Sequence, residues 1–533
     1  MNFAISQLNF KIADFVVNNR KIIESIQMAH AQGVDLIVFS ELAVGGAPAL
    51  DLLKSDTFVD QVDEAIGEIA KACSSIDCII GAPYREEDSG LLYNVALFIN
   101  KGEVRKVISK HRLNDQGLVI ETPYFSQGNG ADLIKVKESV ILLSLEDTLD
   151  NEHDHEVDLI ISLKNYPFSY TEYDQRKQEL KSLSERLGVG VVEVNQIGAQ
   201  GQLIFDGRSL IVHSKEEYAD ELHAFQEDFK LFKLEEKSIK SLQPKLKGDH
   251  YTETELIYEA LVLGIKDYFQ KNGLQKALIG LSGGIDSSIV AALACQALGP
   301  ENVKGILMPS MYSTGHSVKD AEDLANNLGF KYEIVPIKAG FDTFMEMLDP
   351  IFEGVDDSDV DLTEQNIQAR VRAVILMAIS NKQGYIVLNT SNKSEAAMGY
   401  GTLYGDLIGS LSVLGDVYKT QVFQLAHYIN RDRELIPEHA ISKPPSAELK
   451  PGQKDSDSLP LYEVLDPILY LLIEKNLTPS QIVALGHDQD EVDRIVRLMS
   501  RVGFKLFQTP PALRVSPRAF GSGLNLPLVA KFG

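Results

Sequence analysis

The chain has little cysteine, no long apolar run, and too few basic residues to balance its acids. Three cysteines, Cys73, Cys78 and Cys295, stand in 533 residues. So few exclude a disulfide framework and fit a reducing, cytoplasmic setting. CSSIDC spaces Cys73 and Cys78 too widely for a CxxC pair, and no second cluster completes a zinc site. All three read as buried free thiols. No uncharged apolar stretch approaches the ~18 residues that span a bilayer. The start, MNFAISQLNF, lacks the basic-then-apolar order of a secretory leader. Lys and Arg number 51 against 76 Asp and Glu, a net charge of −25. An acidic surface on that scale argues against nucleic acid or an anionic membrane as partner. It leaves an anionic substrate open, because local Lys, Arg, Mg²⁺ and backbone N–H groups override the global field.

What is present is an ordinary globular composition, 44% hydrophobic and 24% charged, with room for two large domains or three ordinary ones. NFAISQLNF, VDLIVFSEL, CIIGAPY, YNVALFIN, ESVILLSL, VDLIISLK and GVGVVEVN are strand candidates. NNRKIIESIQMAHAQG between the first two has helical spacing and stops at Gly33. This alternation predicts a layered α/β domain over residues 1–232. Residues 233–252 are polar and read as a linker. From residue 253, helices alternate with the strands KALIGLS, VKGILMPS, YEIVPI and YIVLNT, which predicts a doubly wound parallel sheet to residue 533. KPPSAELKPGQKDSDSLP reads as a long functional or mobile loop.

LSGGIDSS, residues 281–288, joins a strand to a helix. Its glycines let the backbone approach an anion, and the helix start offers N–H groups. Ser282, Ser287 and Ser288 can add hydroxyl donors. Asp286 would repel phosphate unless a cation such as Mg²⁺ lies between them. Asn366 and Arg370, four apart on one helix, share a face. Thr390 ends a strand, where open α/β sheets bind ligands. Glu395 can offer oxygen to Mg²⁺, and Lys419 can neutralise phosphate charge.

SGGIDS resembles the pyrophosphate loop of the ATP pyrophosphatases, and it lacks the GK[ST] ending of a Walker loop. MPSMYSTGHSVKDAEDLANNLG, NIQARVRAVILMAISNK, TSNKSEAAMGYGTLYGD, DVYKTQVFQLA and PPSAEL together are similar to NAD synthetase across residues 253–533. By that resemblance Gly280, Leu281, Ser282, Gly283, Gly284, Ile285, Asp286 and Ser287 hold the ATP phosphates. Asp286 and Glu395 serve Mg²⁺. Thr390, Lys419 and Ser446 contact ATP. Asn366, Glu395 and Lys505, with Arg370, contact deamido-NAD. The family has a basic cluster near the C-terminus, whereas GFKLFQTPP keeps Lys505 and carries Leu506 and Phe507 at basic positions. The implied reaction adenylates the nicotinate carboxylate with ATP, and ammonia then displaces AMP to give NAD.

Residues 1–232 resemble the nitrilase-like amidase that supplies ammonia from glutamine in the larger NAD synthetases. IVFSEL gives Glu41 as the general base, SKHRL gives Lys110 as the oxyanion lysine, and LVIETPYF gives Glu121 as the second glutamate. The nucleophilic cysteine of the family's ICEDLW-like stretch falls on Leu145, aligned through Glu146 and Asp147. Leucine has neither a proton to lose nor a lone pair to donate. Ser144, one residue back on a strand, should face away from Glu41. Gln116, Tyr166 and Glu172 occupy positions where the family holds glutamine with a tyrosine, a serine and a lysine. The expectation is a vestigial amidase site (Glu41, Lys110, Glu121, Leu145) kept as a scaffold for a homo-oligomer, joined to an ammonia-using synthetase. Two other readings stay open: glutamine use through an unrecognised nucleophile or partner, and a non-catalytic nucleotide-binding subunit of an assembly. A different ATP pyrophosphatase, such as a GMP synthetase, fits NKSEAAMGYGTLYGD poorly.

Overall fold

The computed structural model describes residues 1–116, 119–146, 157–213, 218–244, 251–353, 361–525 and 527–528. It divides into two compact units, Met1–Tyr251 and Thr252–Gly533.

The first unit has two sheets. In one, seven strands run in the order Ser238–Ser241, Asp228–Glu235, Asn2–Gln7, Leu36–Val38, Asp77–Arg85, Leu92–Asn100, Glu103–Ser109. In the other, six run Tyr218–Glu221, Leu210–His213, Gly190–Val194, Leu159–Leu163, Ser139–Ser144, Asp132–Val136. Side chains alternate between faces with period two, which assigns the layers. Phe3, Ile5, Leu36 and Val38 meet Ile141, Leu143, Leu159 and Ile161 in one apolar cluster between the sheets. Their sequence neighbours Ala4 and Ile37 instead pack with helices Phe15–Ala31 and Asp56–Ala72. Leu142 and Ile160 pack with Leu180 of helix Tyr173–Leu187. The result is the expected layered α/β sandwich, helix on sheet on sheet on helix.

The stretch read as a linker from residue 233 begins later. Strands Asp228–Glu235 and Ser238–Ser241 form an antiparallel hairpin that buries Leu234 and Ile239. Asp228–Glu235 also pairs with the first strand, Asn2–Gln7. Only alternate residues of an edge hairpin need be apolar, and the lysines and glutamates between them concealed the pattern.

The second unit opens with helix Glu253–Lys271. Its start is fixed by a reciprocal cap: the Thr252 hydroxyl accepts the Glu255 N–H at 3.3 Å, and the Glu255 carboxylate accepts the Thr252 N–H at 2.7 Å. Five parallel strands follow in the spatial order Lys331–Ile334, Val303–Leu307, Ala277–Leu281, Ile386–Asn389, Leu411–Ser412. This is the doubly wound sheet that the alternating pattern predicts. The order reverses between Ala277–Leu281 and Ile386–Asn389, so their C-terminal ends open a crevice.

Candidate active site

The loop after Ala277–Leu281 enters that crevice. Gly283 has φ +74°, and a Cβ there would stand 2.1 Å from the Ser317 carbonyl oxygen, so the turn requires glycine. Helix Ile285–Leu298 begins at once with Gly284 as its cap, leaving its first N–H groups without helical acceptors. The serine hydroxyls serve the loop itself. Ser287 and Ser288 donate to the Gly284 carbonyl at 3.1 and 2.8 Å, and Ser282 accepts the Gly284 N–H at 3.1 Å. The donors left for an anion are therefore chiefly backbone N–H groups.

A cavity of about 270 Å³ lies above this loop. Among the residues singled out from the sequence, Gly280, Leu281, Ser282, Gly284, Ile285, Asp286, Ser287, Thr390, Glu395, Lys419 and Ser446 line it. Thr390 sits one residue beyond strand Ile386–Asn389. The long loop 443–460 supplies another wall through Ser446, Glu448 and Asp455. Ser446 donates to the Gln453 carbonyl at 2.6 Å, which holds that loop closed on itself.

At the cavity's polar end one ammonium serves several carboxylates. Lys419 pairs with Asp286 and lies 3.7 Å from Glu395. Asn392 donates to the other Asp286 oxygen at 3.0 Å. Burial pushes Glu395 up to about 8, the Asp286 charge adds to the rise, and Lys419 opposes it. Burial also raises Asp455, whose carboxylate accepts the Tyr462 hydroxyl at 3.0 Å. Burial works against the Lys419 ammonium, but Asp286 and Glu395 outweigh it and hold it above its usual range. Such a surplus of carboxylate suits a hard cation. Among the described residues no group of three or more His, Cys, Asp or Glu is arranged to hold a metal alone. Mg²⁺ needs only one or two carboxylates when substrate phosphates supply the rest, so Asp286 and Glu395 fit it.

Two residues before Glu395, Lys393, fully buried, ties distant parts of the unit together. Its ammonium contacts Asp416 at 2.8 Å, Glu474, the Ser516 hydroxyl at 2.8 Å and the Arg518 carbonyl at 3.2 Å. Asp416 also accepts the Val515 and Ser516 N–H groups at 2.8 and 2.7 Å.

Asn366, Arg370 and Lys505 form a separate group around residues 399–403. Asn366 accepts the Thr402 hydroxyl at 2.8 Å, Arg370 donates to the Leu403 carbonyl at 3.3 Å, and Lys505 donates to the Gly399 and Gly401 carbonyls at 2.7 and 2.8 Å. Burial holds Lys505 below the usual range, opposed by Asp406. Arg370 is exposed, and Arg372, which the sequence reading passed over, is the arginine on the cavity. Extending the Asn366 face by three residues twice, through Ala369, would have found it.

The first unit gathers its expected polar residues at the ends of strands. Lys110 lies 2.9 Å from Glu41 and 3.0 Å from Glu121, all with side chains at most 7% exposed. Asn94 donates to both glutamates at 2.7 Å. Burial raises the pKa of Glu41 above its usual range; Lys110 opposes the shift and Glu121 adds to it. Leu145 is buried in the cluster between the sheets with Leu143 and Leu163. Ser144 faces the other way, and its hydroxyl accepts the Glu146 N–H at 2.9 Å. Glu146 in turn accepts the His111 N–H at 2.6 Å and the Arg112 N–H at 3.2 Å; Asp147 lies outside the described residues. Lys164 was not foreseen. Its ammonium donates to the Leu145 carbonyl at 3.3 Å, and its own carbonyl accepts the Glu41 N–H at 3.3 Å. The Tyr166 N–H is held by Asn195 at 3.0 Å, and Glu172 precedes helix Tyr173–Leu187. The Gln116 backbone pairs with Val119, and its side chain is outside the description.

Comparison with known proteins follows the same division. Residues 2–229 match the carbon-nitrogen hydrolase family and residues 257–509 the NAD synthase family. A glutamine-dependent NAD(+) synthetase of Synechocystis sp. is 39% identical, over 99% of this chain and 98% of its own. The chain belongs to the NAD synthetase family. It is a ligase of NAD biosynthesis with a nitrilase-like first unit. The enzyme of the same name from Acinetobacter baylyi is 38% identical over 99% and 98% of the two chains. The glutamine-dependent NAD+ synthetase structure from Acinetobacter baumannii, in complex with ADP, has a TM-score of 0.79 at 34% identity, covering 99% of this chain and 98% of that one. The Cytophaga hutchinsonii synthetase structure, 21% identical with a TM-score of 0.83 over 99% and 98%, shares the fold. Among the described residues no helix is long and apolar enough to cross a membrane.

Proposed function

We propose that this NAD synthetase uses free ammonia, through an adenylate, and that its nitrilase-like unit has lost glutaminase chemistry. The observation that carries the second half is Leu145. A buried aliphatic side chain stands where the family resemblance puts the nucleophile, and the neighbouring Ser144 hydroxyl is turned away. Tyr166 and Glu172 replace groups that would grip glutamine. Glu41, Lys110 and Glu121 then act as a buried ionic brace. The relatives are named as glutamine-dependent, and an assay with each donor decides between them.

In the synthetase unit, a nicotinate carboxylate oxygen of deamido-NAD attacks the α-phosphorus of ATP, and pyrophosphate leaves. The ammonia lone pair then attacks the acyl carbon, AMP leaves with the bonding electrons, and the nitrogen loses a proton. No covalent enzyme nucleophile is needed; the work is alignment and charge neutralisation. The 280–287 backbone cradles the phosphates, with Thr390 and Ser446 on the ATP side. Lys419 counters charge on the departing pyrophosphate. Mg²⁺, held by Asp286 and Glu395, would supply electrostatic polarisation of the phosphates. Asn366, Arg370, Glu395 and Lys505 take the deamido-NAD side.

The functional domains are assigned as 1–241 and 253–533. A homo-oligomer is supported by exposed apolar side chains on helices Lys338–Phe352 and Leu362–Gln383, with Met347, Ile351 and Leu362 at 66%, 72% and 72% exposure. Three buried free cysteines support a cytoplasmic location. The deciding experiment measures NAD formation from deamido-NAD and ATP with ammonium and with glutamine, side by side. Exchange of pyrophosphate into ATP that depends on deamido-NAD tests the adenylate. Absence of both activities defeats the catalytic reading and leaves a nucleotide-binding subunit.

A further inference from the structure

Helix Leu362–Gln383 turns one stripe to the cavity: Ala369, Arg372, Ala373 and Leu376, at helical spacing. The two alanines leave room, and Leu376 and Met308 lie against Gly280 below. Arg372 supplies the stripe's charge. Its Nε–H donates to the Met308 carbonyl at 3.0 Å, just past the end of strand Val303–Leu307. That bond fixes the plane of the guanidinium. No described residue accepts a hydrogen bond from its two terminal amino groups, and no described carboxylate reaches ion-pair distance. Burial lowers its pKa to about 10, against the partial support of Asp406 and Glu448.

A guanidinium has five N–H donors, and only one is used by the protein here. The others, on a half-buried side chain that lines the cavity, are left without a protein acceptor. An arginine anchored at Nε presents its terminal amino groups as a fork, which matches two oxygens of a phosphate or carboxylate. The phosphate loop lines the same cavity.

We propose that Arg372 is a substrate-binding residue of the synthetase unit, gripping an anionic oxygen pair of a nucleotide substrate with its terminal amino groups. This rests on the synthetase reading of the site. Two sources offer such oxygens: the phosphates of ATP, and the carboxylate or pyrophosphate of deamido-NAD.

The test uses the full chain. Equilibrium binding of ATP with Mg²⁺, and separately of deamido-NAD, is measured by calorimetry for the wild type, Arg372→Met and Arg372→Lys. KM values for both substrates are measured with saturating ammonium. The expected result is a loss of about 10- to 100-fold in affinity for one ligand in Arg372→Met. Arg372→Lys recovers part of it, because lysine returns charge without the fork. Loss confined to ATP assigns the phosphates, and loss confined to deamido-NAD assigns the second substrate. A role limited to holding the Met308 carbonyl would lower the melting temperature and leave both affinities alone. If Arg372→Met is poorly folded, Arg372→Lys decides, since it retains bulk and charge. Affinities within twofold of wild type for both ligands overturn the proposal. Wild-type protein that binds both ligands but forms no NAD overturns the synthetase reading and leaves Arg372 to the binding result. Wild-type protein that binds neither overturns both.

Discussion

Replacing Lys110 by methionine should destabilise the first unit without harming NAD synthesis from ammonium. In the native unit the Lys110 ammonium is shared by Glu41 and Glu121, at 2.9 and 3.0 Å, with all three side chains almost wholly buried. Methionine keeps much of the volume and removes the charge. Two carboxylates would then face each other across the Asn94 amide, which already donates to both. Removing one partner of a buried ion pair costs about 3–5 kcal/mol. Lys164 lowers the damage because its charge also reaches Glu41, and one carboxyl can take up a proton. We therefore expect the lower end, about 3 kcal/mol. With a urea m-value of about 3 kcal/mol/M for a unit of this size, the midpoint of its transition falls by about 1 M. Circular dichroism is the suitable probe, since the chain has no tryptophan. The double variant Lys110→Met, Glu121→Gln should be less destabilised than the sum of the single changes, because it removes a stranded charge. An unchanged midpoint in Lys110→Met, or a double variant that is simply additive, would refute the ionic brace. Loss of ammonium-dependent activity in a folded Lys110→Met protein would refute its separation from the chemistry.

Asp286→Asn should nearly abolish NAD formation while leaving the fold intact, because it removes a charge needed beside the phosphates; near-normal turnover at matched Mg²⁺ would remove Asp286 from the mechanism. Ammonium should support synthesis and glutamine little or none. If neutral ammonia is the nucleophile, the rate at fixed total ammonium should rise with pH over the stable range; glutamate released in step with NAD would defeat this. Leu145→Cys should give a thiol that reacts with alkylating agents yet still fails to hydrolyse glutamine, because small errors in substrate position cost large rate factors. Adding Gln116→Tyr, Tyr166→Ser and Glu172→Lys is the comparison, and substantial glutaminase activity from the single change would mean that the glutamine pocket survives.

The residues legible in the sequence are those inside long motifs that follow a strand, most of them in the first turn of the next helix. Asp286, Glu395 and Lys419 converge although Lys419 lies 133 residues from Asp286. Glu41, Lys110 and Glu121 also meet as the resemblance implied. Asp455 escaped because its loop has no period from which a direction could be read. Arg372 escaped for another reason. Four-residue spacing says which residues share a face, but packing against the sheet decides which face looks inward, and here Arg370 turns out to solvent. The hairpin at 228–241 was hidden because an edge needs so little apolar side chain. Lys164 gave no warning, since a lysine after a strand is ordinarily solvated.

The Lys393 knot has a consequence for synthesis on the ribosome. Residues 515–518 are the last pieces of that knot to be translated, yet they close around an ion next to Ser394 and Glu395. Until they emerge, Lys393, Asp416 and Glu474 lack part of the shell that makes their burial tolerable. A nascent chain can lay down the five parallel strands in sequence, but the segment that carries Glu395 stays unlocked. The nitrilase-like unit faces no such wait, since its closing strand, Asp228–Glu235, leaves the ribosome hundreds of residues earlier. One half of the molecule can thus stand folded while the other still lacks its last buried contacts.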